Sequence, residues 1–210
     1  MERGKQTKDN AMKMTLWDQR LAAILVRPLV KTPVTPNHVT TLSLAVGLVG
    51  AGLLAAGESS LANWGAGLFM VARFLDHFDG ELARQSGKTS RFGYLYDYVA
   101  GCLSYSALFL ALGIGLRDGL AGQWSIVIGV VIAPIILTTT LMAIKYSDES
   151  GGDSDDYPVF AGFELEDGIY LIGPIVWAGW IEPFFLLGAA GVVIFAAWTG
   201  VRFLTRGRQG

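Results

Sequence analysis

Residues 76–101 read DHFDGELARQSGKTSRFGYLYDYVAG and set Asp76, Asp79 and Asp97, with Gly80, Ala83 and Arg84, inside what is otherwise apolar membrane-helix sequence. A carboxylate in a membrane segment costs ~2.5–3.5 kcal/mol on insertion scales, so three of them call for a compensating ligand, most simply a divalent metal. Asp76, Asp79 and Ala83 lie three and four residues apart on one helical face, with Gly80 beside them. Both carboxylates then point past a wall without side-chain bulk. On the next span Gly93 and Asp97 share a face, from which Asp97 approaches the first two acids. Three hard oxygen donors, completed by waters and phosphate oxygens, suit Mg2+ or Mn2+. Arg84, one turn beyond Gly80 at the membrane boundary, carries a fork of donors that either grips a phosphate or snorkels.

The rest of the chain agrees with a membrane setting. Of 210 residues, 52% are hydrophobic and 27 are glycine, and the mean hydropathy is +0.44. Several apolar stretches approach the ~20 residues that cross a ~30 Å hydrocarbon core, where glycine lets helices come close. A formal net charge of −2, with no basic stripe interleaved with aromatics, argues for no nucleic-acid partner. The single cysteine, Cys102, excludes an internal disulfide and a Cys-rich zinc site, and its apolar neighbours point to packing.

The expected fold is all-α: a polytopic membrane protein of six transmembrane helices and an N-terminal interfacial amphipathic helix, forming one domain over residues 1–210. Residues 1–31 read as a cytoplasmic tail followed by the interfacial helix, in which Leu16, Leu21, Ile24 and Leu25 alternate with Lys13, Arg20 and Arg27. The polar start carries no sign of a cleavable signal. Pro28, Pro33 and Pro36 break that helix, and Thr35 or Asn37 caps the next. Hydropathy places the spans at about 38–57, 61–83, 92–116, 121–145 (kinked at Pro134), 167–181 and 184–204, with a tight turn at Glu182 and Pro183 before the last. Residues 147–163 read as a flexible acidic cytoplasmic loop. With the N-terminus inside, Lys5, Lys8, Lys13, Arg20, Arg27, Lys31, Arg84, Lys88, Arg91, Lys145, Arg202, Arg206 and Arg208 all face the cytoplasm, and Arg117 alone lies outside. The acidic motif then faces the cytoplasm, most simply at a bacterial inner membrane.

The string D-x2-D-G-x2-A-R-x8-G-x3-D, from Asp76 to Asp97, resembles the signature of the CDP-alcohol phosphatidyltransferases in residue identity and in every spacing. The stretch PNHVT at residues 36–40 also resembles that family's entrance to its first span. The resemblance implies a homodimeric membrane enzyme whose polar cavity opens to the cytoplasm. It would use CDP-diacylglycerol or another CDP-alcohol donor and a hydroxyl acceptor, releasing CMP among membrane lipids. By position it implies that Asp76, Asp79 and Asp97 hold metal on the pyrophosphate, that Gly80, beside Ala83, lets the nucleotide approach, and that Arg84 and Ser90 contact the donor.

One departure stands out. The family pattern ends with a further Asp one turn past Asp97, the family's proposed general base and also a metal ligand, and this chain has Gly101 there. Such a base is worth ~10²–10⁴-fold in rate. His77, Glu81, Tyr105 or the acids of residues 147–167 are candidate replacements. Alternatively the acceptor is unusually acidic, or the chain is a non-catalytic CDP-lipid-binding paralogue.

Plainer readings compete with these. Asp76, Asp79 and Asp97 would form structural ion pairs with Arg73 and Arg84, although three acids against two bases leave charge uncompensated. Arg73, one turn before Asp76, is either that acid's partner or a ligand for an acceptor phosphate. His77 points about 100° away from Asp76 and suits helix packing, and Glu81 suits a cavity rim. A transporter or channel would spread its acids along a path, whereas here they occupy one adjacent helix pair.

Overall fold

The computed structural model describes the backbone of residues 17–149 and 169–206 and the side chains of residues 21–142 and 169–201. The described helices are α1 (Trp17–Leu25), α2 (Pro36–Ala55), α3 (Ser59–Ser86), α4 (Arg91–Gly115), α5 (Trp124–Glu149), α6 (Ile172–Trp177) and α7 (Ile181–Arg206), with a short 3-10 turn at Arg27–Leu29. Among the described residues, four segments are long and apolar enough to cross a membrane: Pro36–Ala55, Arg91–Gly115, Trp124–Met142 and Ile181–Val201. The chain is an integral membrane protein. Helix α3 has 28 residues, about 42 Å at the α-helical rise, so length is not what leaves it outside that group. Its acidic motif lowers its hydropathy.

Local chemistry sets the boundaries. Pro36 opens α2 at a position where its missing N–H costs nothing, and His38 Nδ1 accepts from the Thr35 N–H at 3.3 Å, closing the entrance. Helix α3 ends at Gly87, whose φ of +67° is the left-handed C-cap conformation that glycine adopts without penalty. Helices α2 and α3 touch backbone to backbone. A Cβ on Gly50 would stand 2.8 Å from the Gly65 carbonyl oxygen, and one on Gly65 would stand 2.7 Å from that of Gly50. Ser125 Oγ donates to the Gly113 carbonyl at 2.7 Å and fixes the start of α5 against the end of α4. Helix α5 runs on through Pro134, with Thr138 donating to Pro134 O at 2.9 Å and Thr139 to Ile135 O at 2.7 Å. Both threonines thus bond back to their own helix.

Phe69 of α3, Leu108 and Leu112 of α4, Ile172 of α6 and Phe185 of α7 meet in the main apolar core. A smaller cluster of Val26, Val39 and Leu82, with Leu75 and Phe78 packed on it, holds the N-terminal segment against the motif end of α2 and α3. Exposed Trp64, Trp124, Trp177 and Trp180 lie towards the opposite end of the bundle, as an interfacial belt requires.

Three expectations change. The stretch at 167–181 contains, over its described part, only a 3-10 turn and the six-residue α6, about 9 Å of α-helix, too short to span ~30 Å. The turn expected at Glu182 and Pro183 instead forms at Ala178–Trp180, where Gly179 has φ +78°. Both residues belong to the first turn of α7, where proline is tolerated and Glu182 Oε1 accepts the Leu120 N–H at 2.7 Å. The fourth span continues to Glu149, so the acidic loop begins later than residue 147; residues 150–163 and Leu16 lie outside the described residues.

Candidate metal and phosphate site

The acidic motif closes into a site at one end of the bundle. Asp76 and Asp79 sit on α3 and Asp97 on α4, and one carboxylate oxygen from each lies within 4.8 Å of the others. Two helices supply this arrangement because the i, i+3 spacing puts the first two acids on one face and the close packing of α3 and α4 around α2 brings the third across. Asp79 is buried, and Asp76 and Asp97 are half-buried.

Each carboxylate has a different environment. Thr40 Oγ1 of α2 donates to Asp79 Oδ2 at 2.6 Å, between residues that are 2% and 3% exposed. Arg73 Nη1 donates to Asp76 Oδ2 at 2.5 Å, which settles Arg73 as that acid's partner. Asp97 Oδ1 is buried and accepts no hydrogen bond from the described residues. An anionic oxygen left in that state is costly unless a cation or donor completes it. Three carboxylates and one guanidinium leave these four groups at a formal −2, the charge one divalent cation neutralises. The donor set is all oxygen, as Mg2+ and Mn2+ prefer, so the residues present fit such an ion.

The other motif residues surround this triad. A Cβ on Gly80 would meet only the Arg84 guanidinium, 3.5 Å away, so the face beside Asp79 is open apart from one flexible side chain. Ala83 is half-buried on the following turn. Arg84 is largely exposed and pairs with Glu81 through Nε at 2.9 Å and Nη2 at 2.8 Å. Glu81 also accepts from Gln85 at 2.8 Å. Ser90 is exposed and caps α4, its Oγ accepting the Gly93 N–H at 2.9 Å. Arg73, Asp76, Gly101 and Tyr105 line one cleft, whose empty volume with its open mouth is about 330 Å³. A Cβ on Gly101 would meet no atom within 4 Å. His77 instead packs edge-on to Tyr170, with ring centroids 6.2 Å apart. The acids of 150–167 lie outside the described residues.

Sequence reasoning missed the contribution of α2. Asn37, Thr40, Thr41 and Ser43 are polar residues within an apolar span. A Cβ on Gly93 would stand 3.0 Å from Asn37 Oδ1, Thr41 Oγ1 lies 2.8 Å from Tyr96 Oη, and Ser43 donates to Ala72 O at 2.7 Å. The signal was present as polar residues recurring at helical spacing.

Residues 33–155 match the family model for CDP-alcohol phosphatidyltransferase, and the chain belongs to that family. It is 38% identical over 108 residues to a bifunctional IPC transferase and DIPP synthase of Rubrobacter xylanophilus, covering 50% of this chain and 24% of that protein. It is 34% identical over 104 residues to an archaetidylinositol phosphate synthase of Pyrococcus horikoshii, covering 43% of this chain and 53% of that one. The chain thus spans about a quarter and about half the lengths of these two relatives. Its fold matches the crystal structure of Mycobacterium tuberculosis phosphatidylinositol phosphate synthase with CDP-DAG bound, at a TM-score of 0.64 and 20% identity over 90% of this chain and 92% of that one.

Proposed function

We propose that this chain transfers a phosphatidyl or phosphoalcohol group from a CDP-linked donor, such as CDP-diacylglycerol, to an alcohol acceptor with release of CMP, in phospholipid biosynthesis. The observation that carries this reading is the convergence of Asp76, Asp79 and Asp97 from two helices of a chain in this family, with one buried oxygen of Asp97 accepting no hydrogen bond from the described residues. Asp76, Asp79 and Asp97 would hold Mg2+ or Mn2+. Bound there, the ion neutralises the pyrophosphate and improves CMP as a leaving group. Gly80 gives the donor access to the helix, and Arg84, exposed at the rim, exchanges Glu81 for a donor phosphate. Ser90 borders the same end and orients the start of α4.

Gly101 stands where the family pattern has its proposed base, so the acceptor proton goes elsewhere. His77 packs on Tyr170 and Glu81 is bonded to Arg84 and Gln85, whereas Tyr105 lines the cleft with Gly101 and Asp76. Tyr105, as its phenolate, is therefore the favoured replacement among the described residues. The open space at Gly101 also supports a second reading, a protein that binds CDP-lipid without turnover. We place the chain in a bacterial inner membrane as a homodimer, with the site facing the cytoplasm, on the balance of its basic residues and its family.

The test is purified protein with CDP-diacylglycerol, Mg2+ and a panel of acceptors, the lipid products identified by mass spectrometry. The archaeal relative's name puts inositol phosphate first in that panel. A new phospholipid formed by the wild type and not by Asp79→Asn supports transfer. Product from Gly101→Asp alone, with none from the wild type, selects the binding-only reading.

A further inference from the structure

We infer that Thr40 is a positioning residue for the metal site, holding Asp79 in the orientation a divalent cation needs. The inference rests on the metal reading of the triad and adds to it a residue from a third helix, 39 positions away in sequence.

The hydroxyls of other threonines in this protein show what Thr40 does differently. A threonine in an apolar helix ordinarily spends its single proton on its own helix. Thr41 donates to Asn37 O at 2.7 Å, Thr138 to Pro134 O at 2.9 Å and Thr139 to Ile135 O at 2.7 Å. For Thr40 the corresponding distance, to Pro36 O, stretches to 3.2 Å, and the hydroxyl lies 2.6 Å from Asp79 Oδ2 instead. One proton serves one acceptor well. The short approach to an anionic oxygen is the stronger of the two, because charge-assisted O–H···O⁻ bonds are shorter and about twice as strong as neutral ones. The bond is also sealed, with Thr40 at 2% and Asp79 at 3% exposure.

Such a bond fixes the rotation of the carboxylate. Hydrogen bonds of this kind behind metal-binding carboxylates are typically worth ~10–100-fold in metal affinity. Asp76 has its own anchor in Arg73, and Thr40 supplies the equivalent for Asp79 without adding charge. The bond reaches from α2 to α3, so the entrance sequence PNHVT contributes to the site through its last residue.

The experiment is Mn2+ binding, followed by electron paramagnetic resonance of the purified protein without donor or acceptor. Thr40→Val keeps the shape and removes the proton, and is expected to weaken Mn2+ binding ~10–100-fold. Thr40→Ser restores the hydroxyl and is expected to restore binding. Gly50→Ala strains the α2–α3 contact at Gly65, away from the carboxylates, and is expected to leave Mn2+ affinity in place. Thr40→Ala replaces the valine variant if that one misfolds, as judged by its metal-free unfolding midpoint. Equal Mn2+ affinity in Thr40→Val and wild type overturns the inference while leaving the metal reading standing. Equal weakening by Gly50→Ala overturns it as well, since the effect would then belong to helix packing. Absence of Mn2+ binding by the wild type overturns the metal reading and this inference with it.

Discussion

Asp79 and Tyr105 make opposite demands on the same site. Asp79 is a buried ligand candidate bonded to Thr40, so Asp79→Asn keeps its volume and removes the charge. CMP release is expected to fall at least ~100-fold, the upper end of what supporting metal-site residues show. Tyr105 sits on the wall of the cleft against Phe69, with ring centroids 6.3 Å apart. If it takes the acceptor proton, Tyr105→Phe lowers kcat ~10²–10⁴-fold and leaves the donor KM unchanged. A matched fall in donor binding would contradict that role. Gly101→Asp fits the open space and restores a carboxylate one turn from Asp97; faster CMP release than the wild type is the expected outcome. The three acids were legible in the sequence because local spacing fixes which of them share a helical face. Thr40 showed there only as one of several polar residues at helical spacing in α2, since its partner depends on how α2 docks against α3.

At the scale of elements, helix contact in a membrane depends on small residues more than on apolar burial. Gly50 and Gly65 mark the place where α2 and α3 cannot accept a side chain, and Gly52 faces open space. Gly50→Ala is expected to destabilise the protein by ~1–3 kcal/mol, as overpacking does. Gly52→Ala is expected to be neutral or stabilising by up to ~1 kcal/mol, because alanine is the better helix former. Unfolding midpoints in detergent compare the two, and equal effects would contradict the assigned contact. Five of the six expected spans correspond to long helices, with ends shifted by a few residues, because each carries a long apolar run between clear breakers. The stretch at 167–181 was misread because hydropathy cannot show that Gly179 turns the chain or that α6 lasts only six residues. Glu182 and Pro183 look like a turn in sequence, yet both suit the first turn of a helix.

For the whole molecule, the placement of charge sets the expected orientation. The motif end carries Arg84, Lys88 and Arg91, and Lys88 Nζ ties that end to the N-terminal segment through the Thr32 and Val34 carbonyls at 2.8 and 3.0 Å. Exposed Trp64, Trp124, Trp177 and Trp180 lie towards the other end, and exposed Trp198 lies in the second half of α7, towards the motif end. In a Cys102→Ala background, an impermeant thiol reagent is expected to label Arg117→Cys from outside intact cells and Arg91→Cys only after the membrane is opened; the reverse pattern would invert the orientation. The most direct test of the whole account is CMP release from CDP-diacylglycerol with the best acceptor, measured after chelation by EDTA and again after Mg2+ or Mn2+ is restored. Activity that disappears on chelation, returns with the cation and stays absent in Asp79→Asn is the predicted result. CMP release that persists in EDTA, or that Asp79→Asn retains in full, would contradict a divalent-metal site built from Asp76, Asp79 and Asp97.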